Sequence, residues 1–108
     1  MKAQKVTFLD ENLQESFENI ADKDPLKKGL VKAIKNIQED TSCGRNVIKK
    51  LIPKTLIEKF KVNNVWIYNL PNSWRLLYSI TPTNEIEIIA VILCWMNHKE
   101  YERLFNFT

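Results

Sequence analysis

Glycine is nearly absent from this chain, with two in 108 residues, and proline occurs only four times. That scarcity excludes a collagenous, linker-like or low-complexity protein. Cysteine and histidine are just as sparse. Cys43 and Cys94 lie far apart without a CxxC spacing, too few for a disulfide framework. With His98 as the single histidine, a Cys/His zinc site has at most three candidate ligands, so neither a structural metal nor a cofactor is expected. No segment approaches the roughly 18 consecutive apolar residues that span a bilayer. The opening MKAQKVTFLDEN turns acidic after nine residues and has no apolar signal core, so a cytoplasmic chain without membrane association is expected.

What is present fits one globular domain over residues 1–108. Hydrophobic residues make up 44% and charged residues 27%, too apolar for a disordered chain. The length leaves no room for a nucleotide-cofactor fold plus a substrate domain, so any catalytic site must be small and built on one layer. Charge is unevenly spread. Residues 1–48 balance eight basic against eight acidic side chains. Residues 49–84 set Lys49, Lys50, Lys54, Lys59, Lys61 and Arg75 against Glu58 alone, and residues 85–108 turn slightly acidic. A basic middle of this kind is the footprint of an anion or nucleic-acid site. Charge alone does not separate it from a solvated lysine-rich surface.

Periodicity sets the expected elements. Residues 5–9 read as a short strand that ends at the capping residue Asp10. Leu13, Phe17, Ile20 and Ala21 recur at helical spacing over 11–21, and Leu26, Leu30, Ala33, Ile34 and Ile37 do so over 25–39. Asp24-Pro25 between them is a helix-start signal, so the two helices form a hairpin. The stretch 45–61 is ambiguous: Pro53 interrupts it, and a short helix after that proline is one reading. Three β-prone runs follow over 65–70, 74–80 and 85–95, with short turns that make neighbours antiparallel. The third is apolar on both faces from Ile88 to Leu93, as a central strand is. Residues 97–105 read as a short capped helix.

The expected fold is therefore α+β: a small twisted antiparallel sheet, the two-helix hairpin on one face and a short C-terminal helix. Alternation puts Trp74, Leu76, Tyr78 and Ile80 under the hairpin and Arg75, Leu77 and Ser79 on the other face. With no helices left to cover it, that face is expected to be concave and open. Arg75 then stands there as a rigidly held cation, or as an ordinary surface arginine. His98 is the one side chain whose ordinary pKa suits proton transfer near neutrality, although a histidine at a helix start also serves as a cap.

The hairpin Val65-Trp66-Ile67-Tyr68-Asn69-Leu70 and Trp74-Arg75-Leu76-Leu77-Tyr78-Ser79-Ile80 resembles the strand pair of the RelE/ParE-like toxin superfamily, with Trp74 where a tyrosine is usual. The strand Glu87–Leu93, the ending His98-Lys99-Glu100-Tyr101 and the order β-α-α-β-β-β-α are similar to that family as well. Residues 95–105 look closest to its archaeal-type branch. The resemblance implies a RelE-like toxin of a type II toxin–antitoxin system, an endoribonuclease that cleaves ribosome-bound messenger RNA without a metal. It implies Arg75, His98 and Tyr101 as catalytic residues and Lys59, Lys61 and Lys99 as RNA contacts. A cognate antitoxin, the ribosome and mRNA are the implied partners. A ParE-like inhibitor of DNA gyrase and a non-catalytic remnant that binds an antitoxin or RNA are the rival readings.

Overall fold

Two aspartates start the helical hairpin. Strand β1 (Lys5–Phe8) leads to Asp10, whose carboxylate accepts from the Leu13 N–H at 2.8 Å and opens α1 (Glu11–Glu18). Asp24 accepts from the Leu26 N–H at 2.9 Å and opens α2 (Pro25–Glu39). The first helix ends three residues before its apolar stripe does. There, Lys27 of α2 donates to the Phe17 carbonyl at 2.7 Å and lies 4.1 Å from the centre of the Phe17 ring. A cation from the second helix thus adds a charged donor to a carbonyl in the last turn of the first, which also accepts from Ile20 N–H at 3.2 Å. The computed structural model describes residues 2–3, 5–82 and 88–105.

The ambiguous stretch forms a two-residue strand, β2 (Arg45–Asn46), and a short helix, α3 (Lys54–Phe60). Strands β3 (Trp66–Asn69), β4 (Arg75–Pro82) and β5 (Ile88–Met96) follow, and then α4 (His98–Phe105). The expected start of the third run at Glu85, together with Thr83 and Asn84 of the turn before it, lies outside the described residues.

The sheet runs β1-β5-β4-β3-β2 and is mixed. This corrects the expectation of a purely antiparallel sheet: β1 pairs parallel to β5, from Lys5 opposite Ile89 to Phe8 opposite Ile92, while the other neighbours are antiparallel. Strand β5 is apolar on both faces and needs a partner along each edge, and β1 supplies the second. Asn64 extends the β3–β4 pairing by one rung. Its amide accepts from Ile80 N–H and donates to Ile80 C=O, each at 2.9 Å, as a strand residue would.

Two cores flank this sheet. Leu30, Ala33 and Ile37 of α2 pack on Leu76, Tyr78, Ala90 and Ile92, with Trp74 and Ile80 half-buried at the margin. The face expected to lie under the hairpin does so. The opposite face is not open, which is the second correction. Ile52, Leu56, Val65, Ile67, Leu77, Leu93, Met96 and Tyr101 form a second core beneath α3 and α4. The register shift between β4 and β5 at Leu77/Tyr78 leaves Leu93 as an extra residue, and Leu93 and Cys94 both join that core. Among the described residues no helix is long and apolar enough to cross a membrane.

Cys94 is half-buried at the edge of the second core. Desolvation pushes its thiol from 9.0 up to about 12, whereas Cys43 is exposed. Cys43 is therefore expected to react faster than Cys94 with a disulfide reagent in the native protein at pH 8, and the two alike after denaturation. The raised folded-state value also has a sign. Above pH 9 the unfolded thiol ionises and the folded one does not, so this group's contribution to stability falls as pH rises toward 12. A Cys94→Ala variant should show a flatter loss of stability over that window in urea titrations. Equal native reactivity of the two thiols would contradict the raised pKa of Cys94.

Candidate functional site

The last strand and helix are joined by a reciprocal cap. Asn97 accepts from Glu100 N–H at 2.9 Å, and the Glu100 carboxylate accepts from Asn97 N–H at 3.3 Å. This pair starts α4 one residue after β5 ends, so the helix turns back over the second face and buries Tyr101 there. Arg75, the first residue of β4, lies opposite Met96 on one side and Asn69 on the other. Its guanidinium carbon is 5.2 Å from the centre of the Tyr101 ring, and Nη1 donates to the Trp74 carbonyl at 3.1 Å. The side chain is held on both sides.

A second arginine reaches the same tyrosine. Arg45 Nη2 donates to Tyr101 Oη at 2.6 Å. Its position follows from the loop before it. Tyr78, fully buried on the hairpin side of β4, donates from its hydroxyl to the Thr41 carbonyl at 2.6 Å and accepts from Gly44 N–H at 3.0 Å. Burial holds the Tyr78 phenol well above its ordinary range, so it stays a neutral donor. Gly44 is packed so closely that a Cβ would stand 2.7 Å from Tyr78 Oη and 2.8 Å from Ile67 O. The loop is thereby pinned, and β2 sets Arg45 opposite Ile67, on the face that also carries Asn69 and Arg75.

The result is two guanidiniums converging on one phenol, with the amide of Asn69 on the intervening strand. Among the described residues neither Arg45 nor Arg75 is ion-paired to a carboxylate. A groove of about 350 Å³ lined by Gly44, Arg45, Ile67 and Asn69, among others, runs alongside. Forked cations of this kind suit the oxygens of a phosphate or carboxylate. Among the described residues, no cluster of three or more His, Cys, Asp or Glu is placed to hold a metal ion.

The structure brings Arg75 and Tyr101 together but not the other residues singled out from sequence. His98 sits on the exposed side of α4, its Nε2 2.5 Å from Glu102 Oε1 one turn on. Lys99 beside it is exposed. Lys59 lies over Phe60 and lines a different groove with Asp10, Asn12 and Cys94. Lys61 caps α3 in a left-handed conformation and lines a pocket with Ser79–Pro82, at the end of β4 away from Arg75. Four or more strand residues separate them, roughly 13 Å. Arg45 was missed because it lies in the stretch with no clear period. A signal did exist: the chain has three arginines against 13 lysines, and two of the three meet at Tyr101. Comparison with protein-family models, with curated proteins and with solved structures found no match to this chain.

Tyr101 contributes through its ring and its hydroxyl separately, and the two can be told apart. Tyr101→Ala empties a buried aromatic position and should cost about 3–5 kcal/mol. Tyr101→Phe keeps the ring under Arg75 and removes the hydroxyl that accepts from an exposed arginine, a change of about 1 kcal/mol or less. Urea unfolding of both variants measures this. Equal losses would show that the hydroxyl, rather than the ring, anchors α4.

Proposed function

We propose that this chain is the toxin of a type II toxin–antitoxin pair, a metal-independent endoribonuclease that cuts ribosome-bound messenger RNA and so stops translation. The observation that carries the reading is the convergence of Arg45 and Arg75 on Tyr101, one positive fork on its hydroxyl and the other over its ring. The sequence resemblance to RelE-like proteins in the strand pair and the terminal helix supports it. In the reaction, the ribose 2′-oxygen attacks the adjacent phosphorus and the bond to the 5′-oxygen breaks. The products are a 2′,3′-cyclic phosphate and a 5′-hydroxyl. A base takes the 2′ proton, an acid gives one to the departing oxygen, and cations stabilise the charge that builds on the phosphorane.

Arg75 and Arg45 take the non-bridging oxygens, and their positions, set by β4 and the pinned loop, require little reorganisation as charge develops. Tyr101 is assigned the proton transfer at the 5′-oxygen, since it is the titratable group that both arginines touch. His98, held by Glu102 on the exposed side of α4 and apart from the arginine–tyrosine cluster, keeps only the role that the family resemblance implies for it. Lys59, Lys61 and Lys99 add affinity for the RNA backbone rather than chemistry. A cognate antitoxin, as the family resemblance implies, silences the toxin until it is removed.

The test is cleavage on translating ribosomes, read by the 5′-hydroxyl ends it leaves. Arg75→Ala and Arg45→Ala should each lower cleavage by roughly a hundredfold, the scale of losing one fixed charge-stabilising donor. Arg75→Ala should also cost about 0.5–1 kcal/mol of stability through its ring contact. Ribosome binding should persist, because many lysines share it. His98→Gln should lose less than either arginine variant. Folded arginine variants that cut at the wild-type rate contradict the assignment. A wild-type protein that cuts nothing yet blocks DNA supercoiling is a gyrase inhibitor of the ParE kind. One that does neither and still binds an antitoxin is a remnant.

A further inference from the structure

The chain has two glycines, and each stands where another segment comes too close for a Cβ. Gly44 is the one that pins the loop before Arg45. Gly29 lies buried inside α2, where glycine weakens a helix relative to alanine, so a contact rather than helix propensity accounts for it. That contact is Pro71. A Cβ on Gly29 would stand 2.6 Å from Pro71 Cδ and 3.3 Å from its Cγ. About two helical turns along α2, Asn36 Nδ2 donates to the Tyr68 hydroxyl at 2.7 Å. The helix thus holds both β3 and the turn that follows it.

Pro71 opens the turn that joins β3 to β4. Trp74 N–H bonds to the Pro71 carbonyl at 3.3 Å, and Asn72 and Ser73 between them have φ of 59° and 63°. A type I′ turn has this form: it needs the left-handed region at both central residues and favours Asn-Gly there. Ser73 takes the glycine position, so the turn is held by its surroundings rather than by its own sequence. The Trp74 carbonyl leaves this turn with two donors on it. Leu70 N–H, at 2.9 Å, closes the hairpin, and Arg75 Nη1 lies at 3.1 Å. The same guanidinium stands over the Tyr101 ring. Contacts therefore run without a gap from Gly29 through Pro71 and Trp74 to Arg75.

We infer that Gly29 and Pro71 are positioning residues for Arg75: the bare backbone of α2 seats the β3–β4 turn, and the turn aims the carbonyl that orients the guanidinium over Tyr101. A contact that served packing alone would change stability when altered and leave Arg75 in place. Placement is therefore the quantity to measure.

The test reads the Nε–H resonance of Arg75 in the folded chain, with no RNA present. Gly29→Ala drives a methyl group against the proline ring, and Pro71→Ala removes Cγ and Cδ and frees the turn. Each should shift the Arg75 signal and leave Arg103, in the last turn of α4, in place. The pair Gly29→Ala with Pro71→Ala refills the contact, because the new methyl takes up room that the ring leaves. It should bring the signal back to its wild-type position, a coupling that independent sites do not show. Pro71→Ala and the pair carry the test by themselves if Gly29→Ala does not fold. An unmoved Arg75 signal in the folded single variants overturns the inference. So does a shift that the pair fails to reverse, or an equal displacement of Arg103, which marks a change of the whole fold.

The consequence for chemistry rests on the nuclease reading, whereas the placement does not. On translating ribosomes Gly29→Ala should lower kcat about tenfold or more with KM nearly unchanged, the scale of a small misplacement near the reacting atoms, and the pair should recover it. A folded Gly29→Ala protein that cuts at the wild-type rate overturns the inference. A wild-type protein that cuts nothing ends the nuclease reading instead, and the Arg75 resonance then decides the placement on its own.

Discussion

Tyr101 joins three elements that are distant in the chain, and the second half of the fold depends on that junction. Its ring is buried among residues of α3, β3, β4 and β5, its face carries Arg75 from β4, and its hydroxyl accepts from Arg45 of β2. Without the ring, α4 loses its one fully buried side chain and keeps only the half-buried Leu104 and Phe105 against the second core. Without α4, the face bearing the two arginines is bare sheet, and their charges lose the group that brings them together. The same contact thus stabilises the second core and assembles the candidate site.

The arginines are held by opposite sides of the sheet. Arg75 is placed by strand register, because one residue of slippage would send it into the hairpin core. Arg45 is placed from the other face, where the buried Tyr78 hydroxyl ties down the Thr41–Gly44 loop. Hydrogen bonds made in a dry interior are costly to lose, so this loop is fixed more firmly than its exposure suggests. Two tyrosines therefore divide the work. Tyr78 sets the approach of β2, and Tyr101 receives the arginine that β2 delivers.

The strongly periodic parts of this architecture were legible in the sequence. Asp24-Pro25 and the Leu26-to-Ile37 stripe placed α2, and alternation in β4 assigned Leu76 and Tyr78 to the hairpin side and Arg75 to the other. Pairing direction was not legible, because the apolar pattern of β1 is the same whether β5 runs with it or against it. The cover of the second face was hidden for a different reason. Residues 45–61 form elements of two to seven residues broken by Pro53, too short to show a period, and their burial comes from packing into the second core rather than from local pattern. Arg45 lay in that stretch. The lysines drew attention by number, yet the structure spreads them over separate surfaces, and it is the scarcer arginines that meet.

Three arginines make the central claim directly observable. The guanidinium Nε–H resonances of Arg45, Arg75 and Arg103 give a three-signal spectrum, in which Arg103, in the last turn of α4, is an internal reference. Titration with a short single-stranded RNA carrying 2′-O-methyl riboses keeps the phosphates and blocks attack by the 2′-oxygen. The account requires the Arg45 and Arg75 signals to shift together along one saturating curve while Arg103 stays in place, and both shifts to weaken in Tyr101→Ala. Shifts confined to Arg103 or to the lysines, with Arg45 and Arg75 unmoved at saturation, would show that the two arginines on Tyr101 hold α4 to the sheet and bind no phosphate.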